Sequence, residues 1–318
     1  MRIAFIINGS IKKLNKTIND VTSTFEKFDI KIYTSVDEAH YNQLCGEALE
    51  ETCDHIILVG GDGTVNKGIN GILNYYRLND NKQPEDFDWI AISKIKVGVF
   101  PAGSGNDFVK TVYKDYSLKA LSNLIEKQSY QMIDVGWVQF QNLQFQEEVR
   151  FFMNITDVGM GGETVKRKGN LPDWLGPNFS YFWAITSTLA MYKKCDLKAY
   201  NDNFFWEGKI INMVVANGKY FGNGLGIAPD AKIDDGKFSF VTIGDITLLD
   251  YFKHLRKVKK CIRINHPEVS YHALNEITIE SNTSENITID MDGEFIGTTP
   301  MSIQCLPRKI NFITAEDL

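Results

Sequence analysis

Residues Ile56–Val59 form an unbroken apolar run, Gly60-Gly61-Asp62-Gly63-Thr64 follows at once, and Val65, Ile69, Ile72 and Leu73 then recur at helical spacing. An apolar strand that turns on glycines straight into a helix is the unit of a parallel sheet, because no second strand returns beside the first. A hairpin, which Asp-Gly often marks, lacks its partner strand here. Glycines let the backbone turn tightly and approach a phosphate, and the helix that follows offers unpaired N–H groups and the positive end of its dipole. Asp62 puts a carboxylate among those phosphates. That arrangement is repulsive unless a cation lies between, so the loop predicts Mg²⁺ beside a nucleotide.

The same alternation fills the first third of the chain. Ile3–Ile7, Ile30–Tyr33 and Val97–Phe100 read as strands, with helical periods at Ile18, Val21, Phe25 and Phe28 and at Leu44 and Ala48. Asn79 to Asp88 is polar and reads as a loop. After about Gln131 the texture changes to alternating segments between Gly, Asn and Asp turns: Arg150–Ile155, Lys209–Val215, Lys237–Ile243, Glu276–Ile279 and Asn286–Met291. Helices interrupt at Phe179–Met191 and Leu248–Lys257. At 318 residues the chain has the length of two domains. We expect an α/β domain over 1–131, a mostly β domain over 132–305, and a closing strand, Lys309–Thr314, that packs 306–318 back on the first sheet.

A second loop repeats the first: the strand Val97–Phe100 runs into Pro101-Ala102-Gly103-Ser104-Gly105-Asn106-Asp107-Phe108. In a doubly wound sheet both loops stand at the carboxyl ends of strands, where one nucleotide can meet both. Alone, the second loop is explained nearly as well by a helix capped at Asn106 or Asp107.

Other classes are disfavoured. GxxxxGK[ST], the protein-kinase loops and GxGxxG are absent. A net charge of −6 and a pI near 5.5 argue against nucleic acid as the main partner. The cysteines Cys45, Cys53, Cys195, Cys261 and Cys305 form no CxxC pair, so a reducing cytoplasm is expected. The N-terminus turns polar at Asn8, too soon for a signal peptide. The apolar-rich Tyr181 to Tyr192 falls short of the ~20 residues that cross a bilayer.

Five segments in order resemble the diacylglycerol kinase catalytic family, whose bacterial members are lipid kinases. They are Gly60–Thr64, the Pro101–Phe108 loop, Asp157-Val158-Gly159-Met160-Gly161-Gly162, Gly222-Asn223-Gly224 with Ala228–Ala231 and Asp234-Asp235-Gly236, and Asp292-Gly293-Glu294. The first alone also occurs in NAD kinases. The resemblance implies an N-terminal α/β nucleotide domain like those of NAD kinases and phosphofructokinases, a C-terminal β-sandwich, and an active site in the cleft between them. It implies an ATP- and Mg²⁺-dependent transfer of phosphate to the hydroxyl of diacylglycerol or a related lipid. Asn8, Thr34, Gly60, Gly61, Asp62, Gly63, Thr64, Val65, Asn66, Gly103, Ser104, Asn106 and Asp107 would contact the nucleotide. Glu294 would be the proton acceptor in the Asp292-Gly293-Glu294 turn, within reach of the triphosphate at Asp62, so that Asp62, Asp292 and Glu294 form the catalytic set. A second, structural Mg²⁺ would rest on Asp235 and the carbonyls of Lys232 and Lys237, where the residues themselves read as a plain turn. The chain differs from the family at Gly9-Ser10-Ile11 after the first strand and at Lys67, where many members have Glu.

A lipid acceptor requires transient contact with a membrane surface. The basic run from Lys253 to Arg263 suits this, or is a solvated helix end. Trp174, Phe179, Tyr181, Phe182 and Trp183 line an acyl-chain cleft or, as is commoner, pack in a core. Two other functions stand beside the lipid kinase: an NAD kinase, and a catalytically silent nucleotide- or lipid-binding homologue. Oligomeric state is left open, a homodimer included.

Overall fold

The computed structural model describes residues 1–37 and 39–315, apart from the side chains of Asp173, Pro177 and Asn178. The chain divides into two units, Met1–Val135 with Leu306–Leu318, and Gly136–Cys305. Of the C-terminal stretch expected to pack back, residues 316–318 lie outside the described residues.

The first unit contains β1 (Arg2–Asn8), α1 (Leu14–Thr24), β2 (Asp29–Ser35), α2 (His40–Glu50), β3 (His55–Gly60), α3 (Asp62–Tyr75), α4 (Trp89–Lys94), β4 (Lys96–Pro101), α5 (Val109–Val112) and α6 (Leu118–Glu126), then the start of β5 (Tyr130–Asn142). The chain leaves this unit inside β5, at Val135 rather than Gln131, because that strand runs unbroken through the boundary. β4, β3, β1 and β2 lie side by side, all parallel. Ile3–Ile7 and Ile56–Val59 are fully buried, as strands covered on both faces must be. Each buried Ile, Leu, Val or Phe among them stabilises the fold by roughly 1.5–3 kcal/mol. β1 sits between β2 and β3, so the chain reverses its direction of travel across the sheet there, and ligands bind at the carboxyl edge of such a switch point. The polar stretch before α4 closes on itself: Asp86 accepts from Asn79 Nδ2 and from Gln83 N–H, both at 2.9 Å.

The second unit continues with β6 (Glu147–Phe152), β7 (Ile155–Gly159), α7 (Met160–Gly169), α8 (Pro177–Met191), β8 (Cys195–Asn201), β9 (Phe204–Ile210), β10 (Asn212–Ala216), β11 (Tyr220–Phe221), β12 (Leu225–Gly226), β13 (Phe238–Ile243), α9 (Leu248–Lys259), β14 (Val269–Leu274), β15 (Glu276–Ser281), β16 (Thr288–Met291) and β17 (Glu294–Ile313). Antiparallel pairing joins β14, β13, β10, β7, β16 and the start of β17, while Met301–Gln304 of β17 pair with β15, which pairs with β8 and so with β9. Between the layers lies one apolar core that includes Phe140, Phe152, Leu197, Met213, Phe240, Ile279 and Ile303. This is a β-sandwich. The last residues of β17 then join the first unit's sheet, Asn311 opposite Lys96.

Three expectations change here. Arg150–Ile155 is not one strand, because the chain breaks after Phe152, where Asn217 and Gly218 N–H groups bond Asn154 O at 2.8 and 3.0 Å. Lys209–Val215 breaks at Ile211, whose carbonyl accepts from Met160 N–H at 3.0 Å. Trp174, Phe179, Phe182 and Trp183 are exposed rather than packed in a core.

Candidate active site

In the first unit the two glycine loops follow neighbouring strands, with Gly60 paired to Pro101. Ala102 N–H donates to Gly60 O at 2.8 Å, and a Cβ on Gly103 would stand 2.3 Å from Gly61 Cα. Backbone meets backbone here, which only glycine permits. Asn106 folds the second loop on itself, accepting from Gly103 N–H at 3.0 Å and donating to Gly103 O at 2.9 Å, in a left-handed conformation (φ 51°) that Asn tolerates. Gly103 and Ser104 stay exposed at the tip.

Asp62 joins the loops, a use not evident from the sequence. Its Oδ1 accepts from the N–H groups of Asp107 at 2.8 Å and Phe108 at 3.0 Å, and its Oδ2 from Asp107 N–H at 3.0 Å. Burial pushes the Asp62 carboxyl above its usual range, the nearby Asp107 adds to this, and the N–H bonds oppose it. Lys110 Nζ donates to Asp107 Oδ1 at 2.6 Å and to Gly105 O at 2.8 Å. Oδ2 of both aspartates faces Gly105, where a Cβ would lie 3.0 Å from Asp62 and 3.4 Å from Asp107. Two carboxylates against one ammonium, with oxygen donors only, fit a hard divalent cation.

No side chain caps α3, and the N–H groups of Asp62, Gly63 and Thr64 precede the first intrahelical bond, from Val65 N–H to Gly61 O at 3.1 Å. They make an anion site. Asn8 Nδ2 reaches Thr64 Oγ1 at 3.2 Å, while Asn8 Oδ1 accepts from Ser10 N–H at 2.9 Å. Gly60 leaves room for Thr64, whose Oγ1 a Cβ would approach to 2.2 Å. Thr34 stands in β2 opposite Ile7, half-buried. One expected contact is corrected. Val65 is buried with an apolar side chain and its N–H donates to Gly61 O inside the helix, so it offers a nucleotide no polar group; buried Asn66 accepts from Asn70 Nδ2 at its carbonyl (2.9 Å) and its Oδ1 (3.3 Å).

In the second unit Asp292 and Gly293, both at positive φ, link β16 to β17 in a two-residue hairpin, with Met291 opposite Glu294; such loops demand this backbone. Asp292 is buried. Its carboxylate accepts from Ile155 N–H at 3.0 Å and its N–H donates to Ile155 O at 2.9 Å, which clamps the hairpin to β7 and makes Asp292 a positioning group. Glu294 follows, half-buried. Under the hairpin lies a pair that sequence did not single out: Asp157 and Asp290, buried and directly opposite on β7 and β16. Asp157 Oδ1 and Oδ2, Asp290 Oδ1 and the nearby Asn212 Oδ1 make no well-formed hydrogen bond, although Asn212, Asp290 and the Gly161 N–H stand close enough to Asp157 to offset part of its burial. Burial raises both carboxyls, and for Asp290 the charges of Asp157, Asp292 and Glu294 add to it. Two carboxylates in one dry layer cannot both ionise, so the pair keeps a proton. A carboxylate inside an otherwise apolar strand, and another two residues before Asp292 on the same strand face, were the available signals.

Lys232, Asp235 and Lys237 share one tight turn, in which exposed Asp235 accepts from Lys237 N–H at 3.1 Å. A cation there would have one carboxylate and two carbonyls, with water completing the shell. Among the described residues no three His, Cys, Asp or Glu side chains gather to hold a metal. Gly222, Asn223 and Gly224, all at positive φ, turn the short hairpin of β11 and β12. No helix is long and apolar enough to cross a membrane among the described residues.

Comparison with known proteins finds two families along the chain. Residues 2–138 match the diacylglycerol kinase catalytic domain, and residues 156–314 match the YegS C-terminal NAD kinase beta sandwich-like domain. A diacylglycerol kinase of Staphylococcus haemolyticus is 25% identical over 323 residues, covering 100% of this chain and 88% of its own length. One of Staphylococcus carnosus is 26% identical over 273 residues, covering 85% and 80%. A crystal structure of a diacylglycerol kinase from Bacillus anthracis superposes with a TM-score of 0.68 at 19% identity over 99% of this chain and 97% of its own, and a second structure from that organism with 0.76 at 20% over 100% and 98%. Yeast NADH kinase in complex with NADH reaches 0.50 at 11% identity, over 99% of this chain and 84% of its own, which speaks to the fold alone.

Proposed function

Because the chain belongs to the diacylglycerol kinase family and is a lipid kinase, we propose that it transfers the γ-phosphoryl group of ATP to the hydroxyl of diacylglycerol or a closely related lipid, with Mg²⁺. The observation that carries this reading is the pair of glycine loops tied together by Asp62 at the uncapped start of α3. Their N–H groups bind phosphate oxygens, while Gly61 and Gly103 keep Cβ atoms out of the way. Asp62 and Asp107 would hold the Mg²⁺, which neutralises charge on the phosphates when bound. Asn8, Thr34, Ser104 and Asn106 complete the nucleotide contacts.

In the second unit Glu294 takes the proton of the attacking hydroxyl as its oxygen bonds to the γ-phosphorus and the bond to the bridging oxygen of ADP breaks. Asp292 fixes Glu294 through its clamp on Ile155. A structural Mg²⁺ at Asp235 and the carbonyls of Lys232 and Lys237 would stiffen that turn. The protein meets its acceptor at the membrane from one side.

The test is transfer from labelled ATP over a panel of diacylglycerol, monoacylglycerol, sphingoid base, ceramide and NAD in mixed micelles, with Asp62→Ala and Glu294→Ala as controls. Lipid phosphate formed by the wild type and lost in both variants supports the assignment. NADP as the main product, or unchanged turnover in either folded variant, overturns it.

A further inference from the structure

Helix α8 carries no Asp, Glu, Lys or Arg, and an uncharged helix this rich in large apolar residues is ordinarily buried. Only one side of this one is. Ala184, Ile185, Thr188 and Leu189 face inward, whereas Phe179, Phe182, Trp183 and Met191 are exposed. Positions 179, 182 and 183 form one outer stripe. Phe179 stacks on Trp183 at 6.4 Å, and Phe182 meets Phe252 of α9 at 6.3 Å. The patch therefore continues onto α9, where Leu249 is 80% exposed, and Trp174, 81% exposed, stands just before α8. Contiguous exposed apolar surface of this kind marks an interaction site.

Basic residues border it. Lys253, Arg256, Lys257 and Lys259 of α9 and the following Lys260 are exposed, and among the described residues none of them makes an ion pair, unlike their neighbour Arg263, which pairs with Asp230. On α7, Arg167 Nη1 lies 3.7 Å from Met191 Sδ and Lys168 Nζ sits over the Tyr181 ring at 4.2 Å. The nearest acid on α9, Asp250, is occupied by the helix cap at Thr247. In a chain of net charge −6 this cluster is a local exception.

We propose that the α8–α9 face docks on an anionic lipid bilayer, its aromatic rings entering the boundary between headgroups and acyl chains and its basic residues lying on the lipid phosphates. In a two-fold dimer through this face the basic residues would meet their own copies and repel, whereas an anionic bilayer complements them. The purpose of the docking rests on the lipid-kinase reading above, but the binding is measured without turnover.

The experiment uses the full chain with vesicles of phosphatidylglycerol and phosphatidylcholine against phosphatidylcholine alone, read by co-sedimentation and by tryptophan quenching with brominated acyl chains. The wild type is expected to bind the anionic vesicles at least about tenfold more tightly and to be quenched. K253E/R256E/K260E removes the lipid preference. W174A/W183A weakens binding to both vesicles by about tenfold and abolishes most quenching. All five positions are exposed, so thermal midpoints stay at the wild-type value and a loss of binding is not a loss of fold. Absence of sedimentation with anionic vesicles, absence of quenching, variants that bind like wild type, or a dimer in light scattering that dissociates on W183D would each overturn the proposal. Vesicle binding with these dependences but no phosphorylated lipid would retire the catalytic reading and leave the docking face standing; lipid phosphorylation in micelles by a protein that ignores vesicles would do the reverse.

Discussion

The glycine-loop cradle of the first unit and the acidic hairpin of the second are built from opposite materials. The cradle is backbone: glycines in contact, free N–H groups at the start of α3, and one carboxylate, Asp62, used as a tie between loops. The hairpin is side chain: Asp292 clamped to β7, Glu294 beside it, and Asp157 facing Asp290 with a retained proton. A site made of backbone tolerates almost no added volume, whereas a site made of carboxylates is sensitive to charge and pH.

The largest effect is expected at Glu294. Glu294→Gln keeps shape and removes basicity, so kcat should fall by about 10²–10⁴-fold with the thermal midpoint unchanged; a variant that loses stability in step with activity would show the hairpin glutamate to be structural. Next is volume in the cradle. Gly103→Ala forces Gly61 aside, and KM for ATP should rise at least about tenfold, since a displacement near 1 Å at positioned groups has effects of up to about 10²-fold. An unchanged KM would mean that the loops do not hold phosphate.

The third measurement concerns the buried pair, which faces Asp292, Glu294 and Asn212. Burial raises Asp157 to about 7 from an unfolded value of 3.8. Between those limits the folded state holds the extra proton, so this group's contribution to stability is full at low pH and declines as pH rises toward 7. Asp157→Asn should leave stability near pH 4 little altered and raise it at pH 8 by roughly 1–3 kcal/mol, read from urea unfolding at the two pH values. Equal effects at both would place the proton elsewhere. The smallest effect on stability is expected at Asp62→Asn, which keeps one acceptor for the loop N–H groups but puts an NH₂ where Oδ2 accepts from Asp107 N–H. It should destabilise by ~1 kcal/mol, and a change several times larger would show the tie to be the main support of both loops.

What could be foreseen from the chain follows the same division. The strand, glycine turn and helix around Gly60–Thr64 are contiguous, so periodicity and turn chemistry suffice. Asp62 was identified as a working carboxylate, yet its bonds to Asp107 and Phe108 join segments far apart in sequence, and no local pattern reports them. Val65 follows the glycine turn directly in sequence, but its apolar side chain is buried. In the second unit, alternation reveals strands but not their breaks: those after Phe152 and at Ile211 are set by hydrogen bonds to Asn217, Gly218 and Met160. The opposition of Asp157 and Asp290 depends on register between β7 and β16, which no one-strand pattern contains. The exposed rings of α8 defied the expectation because a helix with no charged residue and aromatic rings spread along it gives little sign of which side the protein will cover.

The strand β17 has a consequence for synthesis. Residues 136–305 are contiguous and can complete a hydrophobic core as soon as they leave the ribosome. The first unit, although translated earlier, lacks the neighbour of β4 until Asn311 and Phe312 arrive. Thr314, which bonds Val112 O and Ser129, comes later still. The first unit therefore waits with an open sheet edge while the younger half folds, and this ordering makes the earlier-made domain the one most in need of protection from aggregation during translation.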